Sequence, residues 1–141
     1  MIRLIVVGKV KEQYTAQWLA EYEKRLGAFF RLEITELREA TLEQESEAIL
    51  HLLKEEYVIV LGSQGKQMTS ALFAQTLKPL LLGNVIFVIG SDKGVHQAVV
   101  KRANLVLSFG LMTFTHQIAR ILLMEQVYRA CMILHGRAYH K

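Results

Sequence analysis

Three stretches of the chain carry residues that could do chemistry. Residues 85–94 read VIFVIGSDKG, an unbroken apolar run from Val85 to Ile89 that closes at Gly90 and a polar turn of Ser91, Asp92, Lys93 and Gly94. Glycine there lets backbone N–H groups approach a ligand closely, and in open α/β sheets ligands sit outside the carboxyl ends of strands. Residues 108–115 read SFGLMTFT, a loop too apolar to be left in water. Such a loop is expected to be buried, with its backbone groups satisfied there, for instance by a ligand. The chain finishes Arg137, Ala138, Tyr139, His140, Lys141, which gathers a Tyr, a His and a Lys just beyond Gly136, the expected helix cap. The Gly65-Lys66 pair is not a phosphate loop: no Gly stands at position 60, and Gln67 follows the lysine.

These segments need a frame. Met1–Val7, Tyr57–Leu61 and Val85–Ile89 read as buried strands, Leu105–Leu107 as a short one, and Leu32–Leu37 as a strand nearer an edge. Between them, residues 11–30 place Tyr14, Trp18, Tyr22, Leu26 and Phe29 at helical spacing, which predicts a helix with those aromatics packed inward. Thr41 and Gln44 predict a capping box opening a helix that runs to about Glu55. Ser70–Leu77 is predicted helical and ended near Pro79. Val95–Arg102 and His116–His135 complete the set. The last is apolar on almost every side, so its outer face is expected against another subunit, with Glu125 and Arg129 forming an i, i+4 pair. The alternation predicts one α/β domain over 1–141: a parallel-rich five-stranded sheet with helices on both faces.

Composition sets limits. The 141 residues are 52% hydrophobic and 21% charged, which suits a globular chain and not a disordered one. One cysteine, Cys131, in an apolar run excludes a disulfide framework or a cysteine-based metal site. Apolar stretches stop well short of a membrane span, and the N-terminal one halts at Val7 before Lys9 and Lys11. A soluble, cytoplasmic protein without metal is expected. Residues 1–84 hold 10 basic and 11 acidic side chains, whereas residues 85–141 hold 7 and 2, with four of the five histidines. That asymmetry suggests an anionic partner such as nucleic acid.

Several segments together resemble one family. They are GKVKEQY at 8–14, EYEKRLG at 21–27, VIG at 88–90, LSFGLMTFTHQ at 107–117, EQVYRA at 125–130 and the terminal AYHK. The chain is similar from end to end to the SPOUT-class ribosomal RNA large subunit methyltransferase H family, which methylates N3 of a pseudouridine in 23S ribosomal RNA. The resemblance implies an α/β fold with a C-terminal trefoil knot, a homodimer, and S-adenosyl-L-methionine as methyl donor. It implies a donor pocket from Leu61, Gly90 and the loop Phe109, Gly110, Leu111, Met112, Thr113 and Phe114. It also implies catalytic or substrate-positioning roles for Tyr139, His140 and Lys141. Two departures stand out: Ser91 where relatives often have a second glycine, and Thr115 where they often have proline. The segment near 38–48 is also shorter than in many relatives.

The implied chemistry is an in-line methyl transfer that needs alignment, no metal, and a way to handle the proton on a weakly acidic imide N3. His140 has the range of a base, Lys141 or Arg137 could stabilise the anion, and Tyr139 could stack on the base or hydrogen-bond it. His116 and Arg120, one helical turn apart, and Arg137 are candidate contacts to ribosomal RNA, although His116 is equally placed to cap its helix. Two other readings stay open: a non-catalytic ribosome-associated RNA-binding module of the same fold, and a Rossmann-like nucleotide enzyme. Against the latter, no strand is followed by Gly-x-Gly-x-x-Gly.

Overall fold

The computed structural model describes residues 1–139. Five strands and five helices alternate along the chain: β1 (Ile2–Val7), α1 (Gln13–Gly27), β2 (Leu32–Leu37), α2 (Leu42–Leu52), β3 (Tyr57–Lys66), α3 (Ser70–Leu80), β4 (Val85–Ile89), α4 (Gln97–Arg102), β5 (Leu105–Leu107) and α5 (His116–Leu134). All pairings are parallel, in the order β2-β1-β4-β3-β5. Ile2 lies opposite both Leu32 and Val85, and Tyr57 opposite Val85, so the strands run in near-common register.

Alternation along the strands divides the core in two. Leu4, Val6, Val85, Phe87 and Ile89 pack with α1, α3 and α5, while Ile5, Val7, Ile86 and Val88 pack with Ile49 of α2 and Val99 of α4. Every residue of β4 is buried, which is why its sequence is apolar without interruption. The capping box of α2 is formed in both directions, Gln44 N–H to Thr41 Oγ1 at 3.1 Å and Thr41 N–H to Gln44 Oε1 at 3.2 Å. Pro79 does not stop α3 at Leu77. The helix continues to Leu80, because the carbonyl that the proline leaves without a donor is that of exposed Gln75, open to water.

The inward face of α1 is corrected, and that of α5 is defined. Tyr14 and Trp18 point outward, 72% and 54% exposed, and the buried stripe of α1 is Thr15, Leu19, Tyr22 and Leu26. Each i+4 step overshoots a turn, so a run of three of them drifts by about 120° and joins two different faces. Helix α5, in turn, is covered mostly by its own chain, flanked by α1 and α3. Ile118, 47% exposed, and half-buried Leu122 remain on its outer side, whereas Leu123 lies in the core.

Candidate functional site

A cleft opens at the carboxyl ends of β3, β4 and β5, beside the point where the sheet order turns back, where ligands bind in such sheets. Leu61, Gly90, Phe109, Gly110, Met112, Thr113 and Phe114, all expected there, line it together with Leu107 and His116. Leu111 does not; it is 80% exposed. Strand β3 shapes one wall by leaving its ladder: Leu61 and Lys66 both pair with Leu107, so the residues between bulge out and bring Gly62 and Ser63 to the cleft. After β4 the turn closes tightly, with Gly94 N–H donating to the Ser91 carbonyl at 2.9 Å. A Cβ on Gly90 would stand 2.3 Å from the Gly94 carbonyl oxygen, so this position needs glycine because of the turn's own backbone.

The third wall hangs from Ser108. Its buried hydroxyl accepts the Gly110 N–H at 3.0 Å and faces the carbonyls of Gly110 and Ser63 at 2.8 and 3.2 Å. Local bonds thus satisfy part of this loop's backbone without burial. Contrary to the expectation of a buried loop, Met112 is 79% exposed, and Phe114 and Ile118 continue the apolar surface at 39% and 47%.

His116 and Arg120 are placed differently from expectation. Thr115 caps α5, its Oγ1 accepting the Ile118 N–H at 3.3 Å, so the cap is not His116. The His116 ring is buried against Gly8, where a Cβ would lie 2.7 Å from Cε1, with Nε2 3.7 Å from Glu39. Arg120 is buried and donates to Glu36 of β2 at 2.6 Å, and its Nε has no partner among the described residues. Arg120 ties α5 to β2, whereas the His116 ring, packed against Gly8, also lines the cleft.

Tyr139 lies elsewhere. Tyr139 stacks edge-on against Tyr128 with ring centroids 4.9 Å apart, sits under the Arg129 guanidinium, and donates to Glu125 at 3.3 Å. Burial, then Tyr22 and Glu125, pushes its phenol up to about 12, so it stays protonated at neutral pH. Arg137 is exposed, over the Phe29 ring. His140 and Lys141 lie outside the described residues. Because Tyr139 rests on residues 125–129, it is roughly 14–20 Å along α5 from His116 at the cleft. Within the described residues the structure brings the three loops together and leaves Tyr139 apart from them. Sequence reasoning missed Ser108, the pivot of the apolar loop, although a lone hydroxyl at a strand end is a fair signal for backbone capping.

Among the described residues no group of three His, Cys, Asp or Glu side chains converges on a metal site, and no helix is long and apolar enough to cross a membrane. A family model described as "Predicted SPOUT methyltransferase" matches residues 1–140. Proteins called ribosomal RNA large subunit methyltransferase H from Leuconostoc mesenteroides and Streptococcus thermophilus are 41% and 42% identical to this chain, with 99% of each chain covered. A probable methylase family protein of Haemophilus influenzae shares the fold, with a TM-score of 0.60 at 12% identity over 99% of this chain and 70% of its own. With end-to-end similarity at that level and a parallel sheet carrying its cleft at the strand ends, the chain belongs to the SPOUT methyltransferase family.

Proposed function

We infer that this protein transfers a methyl group from S-adenosyl-L-methionine to N3 of a pseudouridine in the ribosomal RNA of the large subunit. The observation that carries the reading is the cleft itself. Its walls are the three segments that the resemblance assigns to the donor, in a chain more than 40% identical to relatives named ribosomal RNA large subunit methyltransferase H. The cleft also suits such a donor chemically. Leu61, Leu107, Phe109 and Phe114 offer an apolar slot for a flat purine, and the tight Gly90–Gly94 turn brings backbone close without side chains in the way. When bound, the donor supplies an electrophilic methyl on a sulfonium. The chain's part is to hold that end in line with the acceptor, exclude water and remove the N3 proton.

The tail supplies the last of these in our reading. Tyr139 keeps its own proton and so orients the base by contact or hydrogen bonding, which leaves His140 as the proton acceptor and Arg137 or Lys141 to steady the imide anion. Since Tyr139 and the cleft of one protomer stand apart along α5, a homodimer that places the tail of one copy near the cleft of the other is the economical arrangement. The apolar surface of Leu111, Met112, Phe114, Ile118 and half-buried Leu122 is where a second copy would sit. The trefoil knot belongs to this proposal too: the segment threaded would be the one running from β5 through the 108–115 loop into α5.

The test is transfer of labelled methyl from S-adenosyl-L-methionine to large-subunit ribosomal RNA, with chelator present, alongside calorimetry for donor binding. We expect donor binding indifferent to chelator and label retained in the RNA. A folded protein that binds ribosomes but no donor would sink the reading and leave an RNA-binding module.

A further inference from the structure

Glu45 is the one buried carboxylate among the described residues, 3% exposed, although it belongs to the opening turns of a surface helix. A charge taken that far from water persists only with partners. Glu45 has three, drawn from two separate segments. Ser91 Oγ donates to Oε1 at 2.7 Å, the Ala40 N–H donates to Oε2 at 2.9 Å, and Lys93 Nζ stands 3.7 Å from Oε2. Lys93 reinforces the join, its Nζ donating to the Ala40 carbonyl at 2.9 Å and its N–H to Ser91 Oγ at 3.3 Å. Ser91 and Lys93 both belong to the turn that walls the cleft, and Ser91 lines the cleft while Glu45 does not.

We propose that Glu45 is a positioning residue for the donor: its carboxylate clamps the Ser91–Lys93 turn to the start of α2 and so fixes the backbone that faces the cleft. The proposal rests on the donor reading given above. It also assigns a purpose to Ser91, since a glycine there would have no side chain with which to grip the carboxylate. The turn is tightly folded, since even a Cβ on Gly90 would overlap the Gly94 carbonyl.

Three variants test it: Glu45→Gln, Ser91→Ala and the two combined. Each is assayed by calorimetry with S-adenosyl-L-methionine, by amide hydrogen exchange at Gly94 in the free protein, and by steady-state methylation. Each single change should weaken donor binding about tenfold, the scale of one charge-assisted hydrogen bond. In Glu45→Gln the KM for the donor should rise by the same factor while kcat at saturating donor stays within about twofold, and Gly94 should exchange faster. The double variant should be no weaker than Glu45→Gln alone, because both changes cut the same link. A side chain that served stability alone would lower Tm and leave donor affinity and Gly94 exchange where they were, and that result overturns the proposal. Additive losses in the double variant do so as well. If Glu45→Gln fails to fold, Ser91→Ala decides the matter through Gly94 exchange in the free protein, which a lost direct contact between the Ser91 hydroxyl and the donor would not change. Should the wild-type protein bind no donor, the donor reading fails and the proposal falls with it; should wild type bind and the variants bind equally, the clamp alone has failed.

Discussion

Glu36→Ala should destabilise the protein far more than Arg120→Met, although both delete the same ion pair. The partners differ in burial, with side-chain exposures of 7% for Arg120 and 39% for Glu36. Removing the carboxylate strands a guanidinium away from water, and its Nε already lacks a hydrogen-bond partner among the described residues. Breaking a buried pair in that sense costs about 3–5 kcal/mol, and because Glu23 lines the same groove and can take up part of the charge, the lower end applies. Arg120→Met removes the charge and the orphan N–H together, keeps most of the volume, and leaves a carboxylate that water already reaches. That change should cost about 1 kcal/mol or less. For a chain of this length the gap corresponds to roughly 8 °C in Tm. Urea unfolding and calorimetry of the two variants at neutral pH measure it. Equal losses, or a greater loss in Arg120→Met, would refute the argument that the guanidinium is the desolvated partner. Arg120→Met should also leave the salt dependence of ribosome binding unchanged, whereas a phosphate-contacting arginine would take about one unit off its slope.

Leu122→Glu should weaken self-association in sedimentation while the protein stays folded, but Leu123→Glu should abolish folding, since Leu123 is 1% exposed and sits in the core; a folded monomer from the second would contradict its placement. Cys131, fully buried with its thiol pushed up to about 11, should not react with Ellman's reagent at pH 8 until urea opens the core. The core favours the neutral thiol, so that contribution to stability is complete below the ordinary value of 9 and fades as pH climbs toward 11. Deleting Tyr139–Lys141 should cost about 1 kcal/mol of stability through the lost ring contact, leave donor affinity near wild type, and cut methylation by roughly a hundredfold. Undiminished methylation in the truncated protein would move the chemistry from the tail to the cleft.

The frame was legible because it is written in local patterns. The β-branched runs at 57–61 and 85–89 are buried strands, and the Thr41/Gln44 pair is a formed capping box. Gly136 ends α5 at φ +63°, as its place after the helix requires. The cleft was legible in part, through Gly90 and the 109–114 loop, because glycines and misplaced apolar residues reveal themselves without a partner. What escaped was relational. Nothing in a sequence says that Glu36 will meet Arg120 across 84 positions, or that Glu45, reading as one more acid on a charged helix, will be the buried one. The face of α1 was misread for a similar reason: two stripes share nearly the same spacing, and only the sheet decides which is covered.

The parallel pairing of β1 has a consequence for how the chain is made. Ile2 finds its β2 partner at Leu32, but its other edge waits for Val85, and α1 packs on a helix that starts only at His116. At roughly 5–20 residues per second, a ribosome takes seconds to deliver β4 after β1 has emerged. Through that interval an intensely apolar strand, ending in LIVV, has one side open and no finished core to enter. The nascent chain is therefore most exposed to mispairing in mid-synthesis, and its folding should be limited by the arrival of β4 and α5 rather than by any local step.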